Sequence, residues 1–140
     1  MRVKAEDKIL ISSSTKNLKS VRDFIEQKAT QYGLEQSIVN QVVMSVDEAC
    51  TNIIKYTHKY DDSESIEILL KKENKILKIT ITYRGNEFDP NTIEVPDMKT
   101  YLKQHKVGGL GIPLIKMFMN KIELKHYQPD LNELTLIKYT

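Results

Sequence analysis

The chain has 140 residues, of which 40% are apolar and 29% charged, and its formal net charge is +2. That length suits one domain with its own core, expected to span residues 1–140, and the composition excludes a disordered or collagen-like chain. The charge lies too near neutral to argue for nucleic acid, and no apolar run reaches the length that spans a bilayer.

The opening MRVKAEDKILISSS sets acids directly before a very short apolar stretch. This is not a secretory signal, so a cytoplasmic location is expected. The single cysteine, Cys50, can form no internal disulfide, which agrees with a reducing compartment. His58, His105 and His126 have no metal-ligand spacing among them.

In chain order, residues 7–12 read as a short strand, and Ser12, Ser13, Ser14 and Thr15 then offer N-cap oxygens to a helix. Val21, Phe24, Ile25, Ala29 and Tyr32 recur at three- and four-residue steps, and Gly33 is a natural stop. A second helix is expected from about Glu35 to about Tyr56, with Val39, Val42, Val43, Val46, Cys50 and Ile53 as its apolar stripe. Ile66, Ile68 and Leu70 alternate with polar residues as a strand does, and Ile76, Ile79 and Ile81 do so less strictly; KENK between them is hairpin-sized.

The stretch Gly85–Val107 has few apolar residues and two of the four prolines, and reads as a long irregular segment of the kind that forms lids. A helix is expected just after the glycines of GGLGIPLIKMFMN, using Leu110, Leu114, Ile115 and Phe118, with Met117 and Met119 as core filler. Lys121–Tyr127 and Glu133–Tyr139 read as closing strands around QPDLN. Helices and hairpins in runs, rather than strict alternation, predict an α+β fold: a mixed, mostly antiparallel sheet with helices on one face.

Three places could carry chemistry. Glu48, Asn52 and Tyr56 are four residues apart, so they share one row of the second helix, pointing away from its apolar stripe. The same row fits a solvated helix face. Read functionally, a carboxylate can take a proton from an attacking hydroxyl, an amide oxygen can bind Mg²⁺, and Lys55 can reach a phosphate. Gly108, Gly109 and Gly111, three glycines in four residues before a helix, can aim backbone N–H groups into one anion-binding concavity, or serve only as a flexible turn. Tyr83-Arg84-Gly85-Asn86-Glu87-Phe88-Asp89-Pro90 ends a strand with turn-forming residues. Cys50, on the apolar stripe, reads as a buried, inert thiol.

These places line up with a family. DEACTNIIKYTHKY resembles the N-box of histidine-kinase-like ATPases in its E-x-x-x-N form. VGGLGIPLIKMFMNKIEL resembles the second glycine box of bacterial anti-sigma-factor serine kinases, and NELTLIKY is similar to their closing strand. YRGNEFDP stands where the first glycine box, usually an Asp-x-Gly followed by Phe-Asp-Pro, would be.

The resemblance implies a two-layer α/β sandwich of the Bergerat type, with ATP between the helices and a mobile lid. It implies that Asn52 ligands Mg²⁺, Glu48 is the base, and Lys55 and Tyr56 flank the nucleotide. It further implies that Gly108, Gly109, Leu110 and Gly111 wrap the phosphates, that Tyr83 and Gly85 approach the base, and that Thr135 is a further contact. Members of this family bind a sigma factor, phosphorylate a serine or threonine on a small antagonist protein, and are often dimers. One departure stands out: Tyr83 replaces the Asp that accepts from the adenine amino group. The alternative is therefore a partner-switching binding module with weak or no nucleotide binding. A nucleic-acid-binding α+β domain would rest only on scattered lysines, without an aromatic platform.

Overall fold

Isoleucine and leucine at every second position make strands with one apolar face, and β-branched side chains favour that pleated surface. The computed structural model describes residues 4–85 and 111–140. Its strands are β1 (Lys4–Ser12), β2 (Ser65–Glu73), β3 (Ile76–Arg84), β4 (Lys121–Tyr127) and β5 (Leu131–Tyr139), arranged in the order β1-β2-β3-β5-β4. Ile66, Ile68, Leu70, Leu77, Ile79, Ile81, Leu134 and Leu136 are buried on one face. Each contributes roughly 1.5–3 kcal/mol relative to exposure.

The helices cover that face. α1 (Leu18–Gln31) follows a short helical turn at Thr15–Asn17, where the Ser14 hydroxyl accepts from the Lys16 N–H at 3.4 Å. Leu18, Val21, Ile25 and Ala29 form its buried stripe. α2 (Gln36–Asn52) buries Val39, Val42, Val46, Ala49 and Cys50 and packs between α1 and α3 (Gly111–Phe118). Val42, Val46, Ile54 and Ile115 join the sheet isoleucines in one core. The result is the expected α+β two-layer sandwich. Among the described residues, no helix is long and apolar enough to cross a membrane.

The structure refines several boundaries. All four pairings among the described residues are antiparallel, because the β4–β5 hairpin lays β5, not β4, against β3. β1 begins at Lys4, its charged start held by the ladder from Lys4↔Glu73 to Ser12↔Ser65. β2 and β3 continue to Glu73 and Ile76, so the hairpin loop shrinks to Asn74-Lys75, with Asn74 at φ 53. β5 likewise starts at Leu131, opposite Tyr127. Met119 is buried, but Met117 is 38% exposed: two residues away along a helix, it turns to the other side. The expected lid falls mainly on residues 86–107, outside the described residues.

Candidate functional site

The end of α2 departs from a regular helix. After Asn52 the chain makes a wide turn, Ile53–Thr57, in which the His58 N–H bonds to the Ile53 carbonyl five residues back, at 2.8 Å. A turn widened by one residue re-aims the side chains beyond it by about 100°, and such turns recur at functional sites. Glu48 and Asn52 thus share a row one helical turn apart, both half-buried, whereas Tyr56 leaves strict register with Asn52. Tyr56 is 51% exposed and Lys55 half-buried. Ile53 and Ile54 fix the turn by burial in the core.

The end of β3 lies against this turn. A Cβ on Gly85 would stand 2.2 Å from Thr57 Cγ2, and Gly85 has φ 147. Only glycine admits both the contact and that backbone conformation. Tyr83 meets the His58 ring edge-on, with centroids 6.2 Å apart and planes at 73°. Burial pushes the Tyr83 phenol up to about 12, so it is neutral at physiological pH. Cys50 is fully buried, and burial, with Asp47 second, raises its thiol well above the usual range. It is inert, as expected.

Polar contacts tie these segments together. The His58 ring lies 2.7 Å from Ser13 Oγ through Nδ1 and 2.7 Å from the Arg84 carbonyl through Nε2. Asn132, fully buried on the helix-facing side of β5, donates from Nδ2 to the Gly85 carbonyl at 3.0 Å, and its Oδ1 lies 2.7 Å from His126 Nδ1. The Gly85 N–H donates to the Asp130 carbonyl at 2.8 Å.

The expected site residues therefore divide. Tyr83 and Gly85 are brought against the end of the segment that carries Glu48, Asn52, Lys55 and Tyr56. Gly111 opens α3, which packs on α2. Gly108, Gly109 and Leu110 lie outside the described residues. Thr135 is not brought to this region. It pairs with Thr80 and Glu123, while its neighbours Leu134 and Leu136 point into the core, so it faces the side of the sheet away from the helices.

Ser13, Thr57, His58 and Asn132 were missed. For Asn132 a signal existed: Asn132, Leu134 and Leu136 alternate, placing one polar residue on a core face. The donor set fits a magnesium nucleotide, since Asn52 offers the hard amide oxygen that Mg²⁺ takes and Glu48 a carboxylate one turn back.

Residues 11–138 match the family model of the histidine kinase-like ATPase domain. The chain belongs to this family. Among curated relatives it is 28% identical over 109 residues to the serine-protein kinase RsbW of Halalkalibacterium halodurans, covering 75% of this chain and 66% of that protein. It is 24% identical over 104 residues to RsbW of Bacillus subtilis, covering 71% and 64%. The chain thus spans just under two thirds of the length of these relatives. By structure it resembles a chain of the SiaB–SiaC complex from Pseudomonas aeruginosa, with TM-score 0.70, 12% identity, and 94% of this chain and 88% of that one covered. It also resembles the RsbU and RsbW domains of a Mycobacterium tuberculosis protein, with TM-score 0.61 and 11% identity, covering 96% of this chain and 32% of that one. Both likenesses concern the fold.

Proposed function

We propose that residues 1–140 form a single cytoplasmic ATP-binding domain that acts as a protein serine/threonine kinase. Its protein substrate is a small antagonist, its regulatory partner is a sigma factor, and it works as a homodimer. Family membership and the serine-protein kinase relatives support this reading. The observation that carries it is the pair Glu48 and Asn52, one turn apart on the flank of α2 that the core does not use.

In this reading Asn52 holds Mg²⁺ through its amide oxygen, and Lys55 and Tyr56 border the nucleotide. The backbone of Gly108, Gly109, Leu110 and Gly111, with the N-terminal end of α3, binds phosphate. Bound magnesium neutralises charge on the transferring phosphoryl group. Glu48 orients the attacking hydroxyl and takes its proton.

The test is calorimetric titration of the chain with ATP and Mg²⁺, followed by a phosphorylation assay. Asn52→Ala is expected to remove binding. Glu48→Ala is expected to retain binding and to slow transfer by about 10²–10⁴-fold. Undiminished transfer in Glu48→Ala would take the base role from Glu48.

Tyr83 favours a second reading. A buried neutral phenol can stack or offer a hydroxyl but supplies no carboxylate. The domain would then be a partner-switching binding module with weak or no nucleotide binding. No heat of binding up to millimolar MgATP would select this reading over the kinase.

A further inference from the structure

The polar groups around the end of β3 leave little freedom in how they bond. A backbone carbonyl only accepts, so His58 Nε2 carries the proton and donates to Arg84 O. Nδ1 on the other side of the ring bonds to Ser13 Oγ, a hydroxyl that can donate or accept. On the opposite side Asn132 Nδ2 faces the Gly85 carbonyl, which only accepts, so its Oδ1 faces His126, and His126 Nδ1 carries the proton.

Three successive backbone groups, Arg84 C=O, Gly85 N–H and Gly85 C=O, are therefore satisfied from two directions. His58 reaches the first from the end of α2, and the β4–β5 hairpin reaches the other two through the Asp130 carbonyl and Asn132. His58 and Asn132 are themselves buried, at 7% and 0% exposure, and Asn132 Nδ2 also lies 3.5 Å from the Tyr83 carbonyl and 3.4 Å from the Asp130 carbonyl, so removing either side chain takes from the strand end a donor away from bulk water. The close contact of Gly85 with Thr57 leaves the strand end no room to slide toward α2.

We infer that His58 and Asn132 form a two-sided clamp that fixes the strand end Tyr83–Gly85 against the end of α2. The clamp thereby sets how tightly the site holds its nucleotide. This rests on the nucleotide-binding reading above. Both are positioning residues: neither is required to touch the nucleotide, and each acts through the backbone at 84–85. The clamp also explains two features of sequence that a helix or strand pattern does not demand, a histidine immediately after the wide turn and an asparagine on a core face. It further predicts that the Ser13 arm matters less for the strand end, because Ser13 bonds only to the far side of the ring.

The experiment compares MgATP affinity by calorimetry, and hydrogen exchange at the Gly85 amide, in wild type, His58→Phe, His58→Gln and Asn132→Leu. Phenylalanine keeps the ring volume and loses the donor, whereas glutamine restores an N–H near the Nε2 position. Asn132→Leu cuts the opposite arm at similar volume, which keeps the test open if one variant fails to fold. Losing one buried hydrogen bond corresponds to about ten-fold, so His58→Phe and Asn132→Leu should each bind about ten-fold more weakly and His58→Gln within about three-fold of wild type. Gly85 exchange should quicken in the two weakened variants alone.

Folded His58→Phe and Asn132→Leu that bind like wild type would overturn the inference, as would a glutamine variant as weak as the phenylalanine one. Wild type that takes up no MgATP, or Asn52→Ala that binds as wild type does, counts against the nucleotide reading and not against the clamp. In that case the exchange arm decides, and unchanged Gly85 protection in both variants overturns the clamp.

Discussion

The two long helices end differently, and the difference separates a structural stop from a site. α1 ends at Gln31, capped by Tyr32 and followed by Gly33 at φ 86, where a Cβ would meet nothing within 4 Å. Glycine is needed at that position for backbone conformation alone. α2 ends in the wide turn Ile53–Thr57, whose Thr57 presses on Gly85 at φ 147 from a distant strand. That glycine is needed for conformation and for space. A local stop requires one residue; a junction between segments far apart in the sequence requires two to match.

The largest expected effect comes from that match. Gly85→Ala should cost roughly 2–5 kcal/mol in urea unfolding, combining a disfavoured φ with overlap on Thr57. Adding Thr57→Ser, which removes the overlapping methyl group, should restore roughly 1 kcal/mol or more. If Gly85→Ala costs no more than the same change at Gly33, the comparison fails.

Gly33→Ala is the intermediate case. It should cost about 1 kcal/mol for the left-handed conformation, with no steric addition. Its MgATP affinity should stay at the wild-type value, because Gly33 leads into the start of α2, whereas Glu48 and Asn52 stand toward its other end. A loss of affinity there would show that the two helix ends are coupled.

The smallest effect is expected at the Arg84–Asp130 ion pair, 2.8 Å long between side chains 59% and 47% exposed. Arg84→Ala should change stability by under about 1 kcal/mol, since solvent screens exposed pairs. The Arg84 carbonyl and the Asp130 carbonyl, not their side chains, hold the strand end. A large loss in Arg84→Ala would move the anchoring from buried backbone contacts to surface charge.

Much of the fold was legible because its signals are local. The stripe Val39, Val42, Val46 and Cys50, and the alternation of Ile66, Ile68 and Leu70, each declare an element and its buried face within a dozen residues. Glu48 and Asn52 were legible for the same reason, being one turn apart on a helix. Thr135 was misplaced because a family position says nothing about strand parity, while Leu134 and Leu136, both apolar, already assigned Thr135 to the other face. Met117 failed by the same rule on a helix. Tyr56 slipped from its row because a widened turn leaves no mark in an apolar periodicity. His58 and Asn132 went unnoticed because each bonds to a strand end remote in the numbering, 26 and 47 positions away.

By itself, the sequence determined the elements, the α+β class and the family, since all three rest on spacing along the chain. Only the tertiary structure decided the antiparallel laying of β5 on β3, the widening of α2 after Asn52, and the meeting of Thr57, His58 and Asn132 around Gly85. Those depend on which buried polar groups find partners once distant segments close on one another, and no local pattern encodes that.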